Sequence, residues 1–305
     1  MKSNLICDLQ EKFNLSFLVN LFNTKQRTLR YTTVNRKKLT LKDGIFDANI
    51  IYHKYKTEGI IVFDKPITRI GELAFCECND LAEITIPDRV TTIENRAFCM
   101  CNNLKQVNLS KNLTTLGYNT FAGCNKLRHI TIPDSVTELG SGCFYECENL
   151  IKVIIGEGVT SIEDRTFYCC HNLKWANIPE SVTQIKRYAF NGCALERITI
   201  PDSVCSIEEG AFRYCDKLEV VTIGKNITDI GMSAFAECEK VKELYCNAVT
   251  PPYLSATALL AADMWSGNLF PICDTIYVPT KSVNAYKQAS GWSELSEYIK
   301  ANPYR

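Results

Sequence analysis

The chain has 305 residues, of which 46% are hydrophobic and 22% charged, and its 34 Lys and Arg residues balance 34 Asp and Glu residues. This composition is typical of a folded globular protein and excludes a disordered one. A neutral chain has no general attraction for phosphates or anionic lipids, so neither nucleic-acid binding nor membrane-surface binding is expected. Because no apolar run reaches the length of a membrane span, we also expect no transmembrane segment.

Residues 1–57 are predicted to form an N-terminal cap that consists of a helix and a hairpin. The helix is predicted near Leu5–Phe22, and the hairpin is predicted to turn around Asn35 and Arg36. Residues 25–42 carry seven basic and no acidic side chains, which we interpret as the solvated face of the hairpin. The apolar stretch at 15–22 is broken by Asn20 and preceded by charged residues, so it resembles an export signal only weakly.

A phenylalanine recurs at a constant spacing through the middle of the chain, and a cysteine follows each one by three residues. The phenylalanines are Phe75, Phe98, Phe121, Phe144, Phe167, Phe190, Phe212 and Phe235. The cysteines are Cys78, Cys101, Cys124, Cys147, Cys170, Cys193, Cys215 and Cys238. Each step is 23 residues except one of 22, where a residue is missing between Cys193 and Leu195. The pattern stays in phase after this deletion, so it predicts a structural repeat unit.

One unit reads L-x-x-I-x-I-P-x-x-V-x-x-I-x-x-x-A-F-x-x-C-x-x, as in residues 81–103 and 127–149. The alternating apolar residues at its start predict a short strand with one buried face, which the proline ends. The V-x-x-I stretch predicts a return path, and A-F-x-x-C predicts a helical or 3₁₀ turn. Because one unit cannot bury its own apolar residues, we predict an α/β solenoid of about eight stacked 23-residue repeats over residues 58–246, with short parallel strands on one face and a cap at each end.

The strings I-P-D-S-V at residues 132–136 and 200–204, I-P-D-R-V at 86–90 and the recurring A-F-x-x-C resemble the BspA-like leucine-rich repeats of bacterial surface proteins. Residues 59–64 resemble the entry strand of that family, and residues 276–279 with Tyr286 and Trp292 resemble its C-terminal cap. The resemblance implies a leucine-rich-repeat solenoid, a cell-surface or secreted location, and attachment to host matrix proteins. Since the export signal is weak, the cytoplasm is the alternative location.

Residues 247–305 are predicted to form the C-terminal cap. Pro251 and Pro252 interrupt the repeat, and a final strand is predicted at Thr275–Val278. Thr280 is the candidate N-cap of a helix from Lys281 to Ala289. A cap is expected because the last repeat would otherwise expose a row of unpaired strand groups.

The chain contains 16 cysteines, and eight of them lie at the one repeat position given above. In a solenoid these eight form a parallel column, so we predict buried, reduced thiols that fill the core. Cys76 and Cys99 directly follow the repeat phenylalanine on neighbouring units and leave alternatives open. They could form a disulfide, or join Cys78 and Cys101 in a four-thiolate zinc site. We expect no metal site, because residues two apart project to opposite sides.

Nothing in the sequence indicates catalysis. The three histidines, His53, His129 and His171, are isolated, and the chain has no H-E-x-x-H, G-x-S-x-G, P-loop or G-x-G-x-x-G motif. We therefore predict no enzyme and no cofactor. The residues that remain for function are those that project outward from the strands.

Two columns of residues are predicted to project outward from the repeated strand. The first column is Glu83, Gln106, His129, Lys152, Trp175, Arg197, Val220 and Glu243. The second column is Thr85, Asn108, Thr131, Ile154, Asn177, Thr199, Thr222 and Tyr245. Threonine is common on exposed strand surfaces, so departures from it are more informative than matches. The departures cluster at Lys152, Ile154, Trp175 and Arg197, with His129 on the adjoining repeat.

An exposed tryptophan between cations has the composition of an interface hot spot, and we predict that this cluster binds a partner. The alternative is that Trp175 stacks between Lys152 and Arg197 only as a space-filling cation–π contact. The main hypothesis for function is a non-enzymatic, adhesion-type module that recognises a protein through this face. The alternative is an intracellular protein-interaction scaffold, which would agree with so many cysteines.

Overall fold

The computed structural model describes residues 24–41, 43–255, 257–262 and 269–304. Within this part the chain winds into a parallel β-solenoid of about ten coils, which confirms the predicted fold. The helix predicted near Leu5–Phe22 lies outside the described residues. The only α-helix in the described ranges is α1 (Val283–Gln288), and short 3₁₀ turns lie at Thr24–Arg27, Thr280–Ser282 and Ser293–Leu295.

Three antiparallel strands precede the repeats: β1 (Thr28–Thr33), β2 (Ile50–Tyr55) and β3 (Gly59–Phe63). β3 lies between β2 and β1, and the other edge of β1 pairs antiparallel with the first strand of the solenoid. The prediction of a hairpin around Asn35 and Arg36 is wrong, because the hairpin connects β2 to β3. A turn does lie at Arg36, but the residues that follow it are polar and exposed. They could not cover the first coil, whereas Leu29 and Tyr31 of β1 are buried against it.

One strand per coil forms the front face of the solenoid. These front strands are β5 (Leu81–Thr85), β7 (Gln106–Asn108), β9 (His129–Ile132), β11 (Lys152–Ile155), β13 (Trp175–Ala176), β15 (Arg197–Ile200), β17 (Val220–Ile223), β19 (Val241–Cys246), β23 (Cys273–Val278) and β24 (Ile299–Ala301). They pair in parallel and in register, so each repeat position forms a straight column along the solenoid. The ladder is interrupted between β7 and β9 and between β13 and β15.

A second set of strands lies on the return path, where the sequence predicted only two inward residues. These return strands are β4 (Arg69–Ile70), β6 (Thr92–Ile93), β8 (Thr115–Leu116), β10 (Glu138–Leu139), β12 (Ser161–Ile162), β14 (Gln184–Ile185), β16 (Ser206–Ile207), β18 (Asp229–Ile230) and β20 (Tyr253–Leu254). They also pair in parallel, in two ladders that are separated between β10 and β12. An additional hairpin, β21 (Leu260–Ala262) and β22 (Leu269–Pro271), lies between the last return strand and β23.

The A-F-x-x-C segment forms tight turns and not the helical or 3₁₀ turn that we predicted. In every repeat the residues two before and two after the phenylalanine have positive φ, for example Arg96 at 54° and Met100 at 57° around Phe98. Alternate N–H groups then close four-residue turns, as in Cys99 N–H to the Arg96 carbonyl at 3.1 Å, while the others reach the next coil, as in Phe98 N–H to the Thr120 carbonyl at 2.8 Å. The backbone is satisfied by neighbouring coils, so a helix is not needed.

The repeat phenylalanines form a continuous stack inside the solenoid. Rings on neighbouring coils have centroids 5.0–5.6 Å apart and nearly parallel planes, and all eight rings are buried. Burying one such side chain contributes roughly 2–3 kcal/mol. The column therefore holds each coil to the next independently of the two ladders.

The repeat cysteines are buried as predicted, except for Cys78 on the first coil, which is half-buried. Each of the other seven also has a polar contact that the sequence did not predict: its Sγ lies 2.9–3.3 Å from the phenylalanine carbonyl of the preceding coil. Cys124, for example, donates to the carbonyl of Phe98. The thiol thus fills core volume and also satisfies the second lone pair of a buried carbonyl.

The C-terminal segment extends the front ladder and then covers it. β23 pairs in parallel with β19, and β24 pairs in parallel with β23. The prediction that Thr280 caps a helix is wrong: the α-helix starts later and its N-cap is Ser282, which makes no capping bond because its hydroxyl donates to the Val249 carbonyl at 2.6 Å. Tyr286 and Trp292 are fully buried beneath this segment.

Candidate functional site

The front strands hold the predicted partner-binding residues on the outer surface. Buried and exposed residues alternate along β9, β11 and β15, as expected for a strand with one face in the core. His129, Lys152 and Trp175 occupy one register position on three adjacent strands. The structure therefore brings these three side chains into one row, with Ile154 beside them in the second column.

Trp175 and Ile154 form an exposed apolar patch at the centre of the front face. Their exposed fractions are 46% and 40%, which is high for side chains of this size. The Nζ atom of Lys152 lies 4.7 Å from the centroid of the Trp175 ring. One face of the indole is thus covered by a cation, and this contact holds the ring in a defined orientation.

Arg197 is exposed on the next coil but belongs to a different ladder. Its strand pairs with β17, and no ladder bond joins it to β13 in the described part of the chain. This interruption coincides with the coil that lacks one residue. On the other edge of β13, the side-chain amide of Asn177 bonds both the N–H and the carbonyl of Ile155 on the preceding coil, at 2.7 and 2.8 Å. Among the described side chains, the cation over the Trp175 ring is Lys152, so stacking between two cations does not occur.

The centre of the front face is cationic and its two ends are acidic. Between Gln106 and Val220 the first column carries Lys152 and Arg197 and no carboxylate, whereas Glu83 and Glu243 lie at its ends. No ion pair joins Lys152 or Arg197 to a carboxylate within the described ranges, although the neighbouring Lys174 approaches Glu196 at 4.0 Å. The patch combines apolar area with two cations that are available to a partner.

A cavity on the surface formed by the turns was not predicted from the sequence. A cavity of about 510 Å³ is lined by Tyr118, Asn119, Ser141, Gly142, Tyr145, Asp164, Arg165 and Tyr168. The signal that could have indicated it is the pair Ser141 and Gly142, which interrupts columns of larger side chains on both sides. Outward residues were predicted only along the strands, and the cavity lies on the turns.

Cys76 and Cys99 lie next to each other, half-buried, on neighbouring coils. Burial, together with the adjacent Cys76 thiol, raises the pKa of Cys99 to about 11. The thiolate that metal binding and rapid oxidation require is therefore disfavoured at neutral pH. Among the residues that the structure describes, no group of three or more His, Cys, Asp or Glu side chains is arranged to hold a metal ion.

Comparisons with known proteins agree with the repeat architecture. Residues 46–174 and 137–251 match the family model described as BspA type leucine rich repeat region, in six copies. These two ranges together span well over half of the chain. No curated protein matches the sequence. Within the described residues, no helix has the length and apolar character needed to cross a membrane.

Three solved structures are similar to this chain. A leucine-rich-repeat protein from T. pallidum is 22% identical, with 58% of this chain and 73% of that chain covered and a TM-score of 0.43. One from Bacteroides ovatus is 19% identical, with coverages of 82% and 90% and a TM-score of 0.31. A leucine-rich cell surface protein from Faecalibacterium prausnitzii is 21% identical, with coverages of 70% and 91% and a TM-score of 0.31. By the extent of the family match, the chain belongs to the BspA-type leucine-rich-repeat family.

Proposed function

We propose that this chain is a non-enzymatic module that binds a protein partner through the centre of its front face. The observation that carries the proposal is the exposed Trp175, oriented by Lys152 and continuous with Ile154. Tryptophan and arginine are among the side chains most enriched at interface hot spots, and an indole whose orientation is already favoured by a neighbouring cation loses less entropy on binding.

The charge pattern narrows the class of partner. Lys152 and Arg197 would meet carboxylates, while Trp175 and Ile154 require an apolar contact between them. The partner is therefore a protein with an acidic surface around an apolar centre. By family resemblance we propose a host matrix protein, bound by this chain at the bacterial cell surface.

An intracellular scaffold is the second candidate, and one observation favours it. All fifteen cysteines in the described ranges are free thiols, including the exposed Cys205. Disulfides form readily in oxidising compartments, so a chain with this many thiols is more typical of a reducing one. Fractionation of the native cell separates the two candidates: recovery at the surface supports adhesion, and recovery in the cytosol supports the scaffold.

Binding is tested with purified extracellular matrix proteins immobilised on a biosensor. The double variant Trp175→Ala, Arg197→Ala should weaken binding at least 100-fold, because each residue is placed to contribute more than about 1.4 kcal/mol. The matched control is Gln106→Ala, Thr222→Ala, which changes one residue of each outward column on other coils. Full binding by a folded Trp175, Arg197 variant would place the site elsewhere, and equal losses in both double variants would indicate a general effect on the face.

A further inference from the structure

The cavity on the turn surface arises because one coil lacks two side chains. The two positions concerned lie three and two residues before the buried phenylalanine. On the coil of Phe121 they hold Tyr118 and Asn119, and on the coil of Phe167 they hold Asp164 and Arg165. The intervening coil has only Ser141 and Gly142 there. The cavity is therefore a notch two coil spacings wide, and its volume of about 510 Å³ is in the range of small-molecule sites.

The backbone conformation at residue 142 does not require a glycine. Its φ is 63°, but Asn119, Arg165 and Tyr188 occupy the same repeat position at φ of 52–56° and carry side chains. A Cβ atom on Gly142 would lie 2.0 Å from Oδ1 of Asn119, which is the movable end of a side chain. Gly140 is different, because its Cβ would lie 2.4 Å from the Gly117 backbone. The missing side chain at residue 142 therefore leaves the notch open.

Aromatic rings line one side of the notch. Tyr145 and Tyr168 stack with centroids 5.2 Å apart and an interplanar angle of 3°. The residue equivalent to Tyr145 on the preceding coil is Ala122, whose methyl group leaves the other face of the Tyr145 ring without an aromatic neighbour. Burial, with a smaller contribution from Glu146, raises the pKa of Tyr145 to about 12, so the ring stays neutral at physiological pH. Tyr118, which is 44% exposed, forms part of the opposite rim.

The polar groups of the notch supply donors and acceptors without net charge. Asn119 and Ser141 offer an amide and a hydroxyl, and Asp164 and Arg165 offer opposite charges. One oxygen of Asp164 accepts the Arg187 N–H at 3.1 Å, which holds the carboxylate in place. The Arg165 guanidinium lies 5.7 Å from the centroid of the Tyr188 ring. An anion would meet Asp164 and a cation would meet Arg165, so this set favours a neutral ligand rich in hydroxyl groups.

We propose that this notch is a binding site for one ring of an uncharged oligosaccharide. The apolar C–H face of a sugar ring matches the open face of Tyr145, and its hydroxyl groups match the amide, carboxylate and guanidinium around it. The site goes beyond the proposed protein partner, because it lies on the turn surface and shares no residue with the front-face cluster.

Filling the notch tests the proposal with little risk to the fold. Gly142→Asn introduces asparagine, which already stands at the same repeat position and in the same backbone conformation at residue 119. The matched control is Leu73→Asn, at the same repeat position with a φ of 57° and far from the notch. Melting temperatures of both variants verify folding. The probes are cellotetraose, mannotetraose and chitotetraose as neutral sugars, with oligogalacturonate as the charged comparison.

Calorimetric titration of the full chain should detect at least one neutral sugar at concentrations up to about 10 mM. Gly142→Asn and Tyr145→Ala should each weaken that binding at least tenfold, and Leu73→Asn should leave it unchanged. The proposal is overturned if no neutral sugar binds, if only the charged sugar binds, or if folded Gly142→Asn binds as well as the unchanged protein. Loss of a captured matrix protein by Gly142→Asn without any sugar binding would assign the notch to a protein contact.

Discussion

The repeat interior and the C-terminal cap both bury large aromatic rings, but they do so by different means. In the interior each phenylalanine stacks on the equivalent phenylalanine of the next coil, and the same residue recurs in all eight repeats. In the cap Tyr286 and Trp292 meet edge to face, and their polar atoms bond the Ala248 and Pro252 carbonyls at 2.9 and 2.8 Å. Stability is thus spread over many equivalent contacts in the interior and concentrated in a few unique ones in the cap.

Removing the cap should have the largest effect. Truncation after Cys246 would leave the edge of β19 unpaired and expose Val241 and Leu244, which are now buried. Open edges of this kind pair with one another, so we expect loss of soluble monomer and formation of aggregates. Size-exclusion chromatography with light scattering measures the result. A truncated chain that stays monomeric with an unchanged melting temperature would show that the interior alone suffices.

Creating a cavity in the phenylalanine column should have the next largest effect. Phe144→Ala removes a fully buried ring that stacks on Phe121 and Phe167. We expect a loss of about 3–5 kcal/mol in the free energy of unfolding, as for other buried phenylalanines. Chemical denaturation measures it. A loss below about 1 kcal/mol would mean that the neighbouring coils collapse into the space.

Tyr286→Phe tests the concentrated contacts of the cap. The substitution keeps the ring but leaves the Ala248 carbonyl, and the Cys246 thiol at 3.3 Å, without the phenol. Leaving a buried acceptor unsatisfied costs about 1–3 kcal/mol. Hydrogen exchange should show the increased opening first in β23 and α1, and not in the central coils. Tyr304→Phe, at an 81% exposed residue, is the control and should change nothing.

The cysteine column should contribute less per residue. Cys124→Ala removes a small side chain and its weak bond to Phe98, so we expect a loss of about 1 kcal/mol with unchanged partner binding. Thiol titration provides an independent check. The exposed Cys205 should react promptly in the native protein. The buried column cysteines, such as Cys124, whose pKa is raised by burial, should react slowly, and all 16 cysteines should react after denaturation. Prompt labelling of every thiol in the native state would contradict the burial.

The N-terminal sheet should give the smallest effect, through pH. Burial, with a smaller contribution from Lys38, lowers the pKa of His53 from 6.5 to about 4. The Tyr31 hydroxyl and Nε2 of His53 are 2.6 Å apart, and Leu39 N–H donates to the same hydroxyl. A neutral imidazole can accept a hydrogen bond from this hydroxyl at Nε2, whereas a protonated one cannot.

Between pH 6.5 and 4 the unfolded chain therefore binds more protons than the folded one, and stability falls as pH falls through this window. Because His53 is only half-buried, the loss should stay below roughly 1 kcal/mol. Melting temperatures compared with those of His53→Gln isolate the contribution. A difference between the two that does not change with pH would contradict the shifted pKa.

Much of the interior could be predicted because each position is repeated. The 23-residue spacing places Phe144 and Cys147 at positions equivalent to Phe121 and Cys124. The burial predicted for a position in one repeat is therefore supported by the same residue type in the next repeat. The caps lack this redundancy. The predictions that Thr280 is a helix N-cap and that a hairpin turns at Asn35 were wrong. In both places local turn preferences were outweighed by burial against the end coils, of Ser282 in one case and of β1 in the other.

Only part of the candidate site could be predicted from the sequence. The alternation along β11 was sufficient to place Lys152 and Ile154 on the outside, and the register between strands placed Trp175 beside Lys152. The position of Arg197 relative to Trp175 could not be predicted, because it depends on the interruption of the front ladder between β13 and β15. Their roles in binding remain predictions.

The sequence by itself determined the repeat length, the direction in which each strand residue points and the composition of the core, because periodic burial is written into the order of apolar residues. Only the tertiary structure decided the second set of strands, the left-handed turn residues, the thiol contacts to the phenylalanine carbonyls and the notch at Gly142. Each of these depends on which atoms of neighbouring coils meet, and no local pattern contains that information.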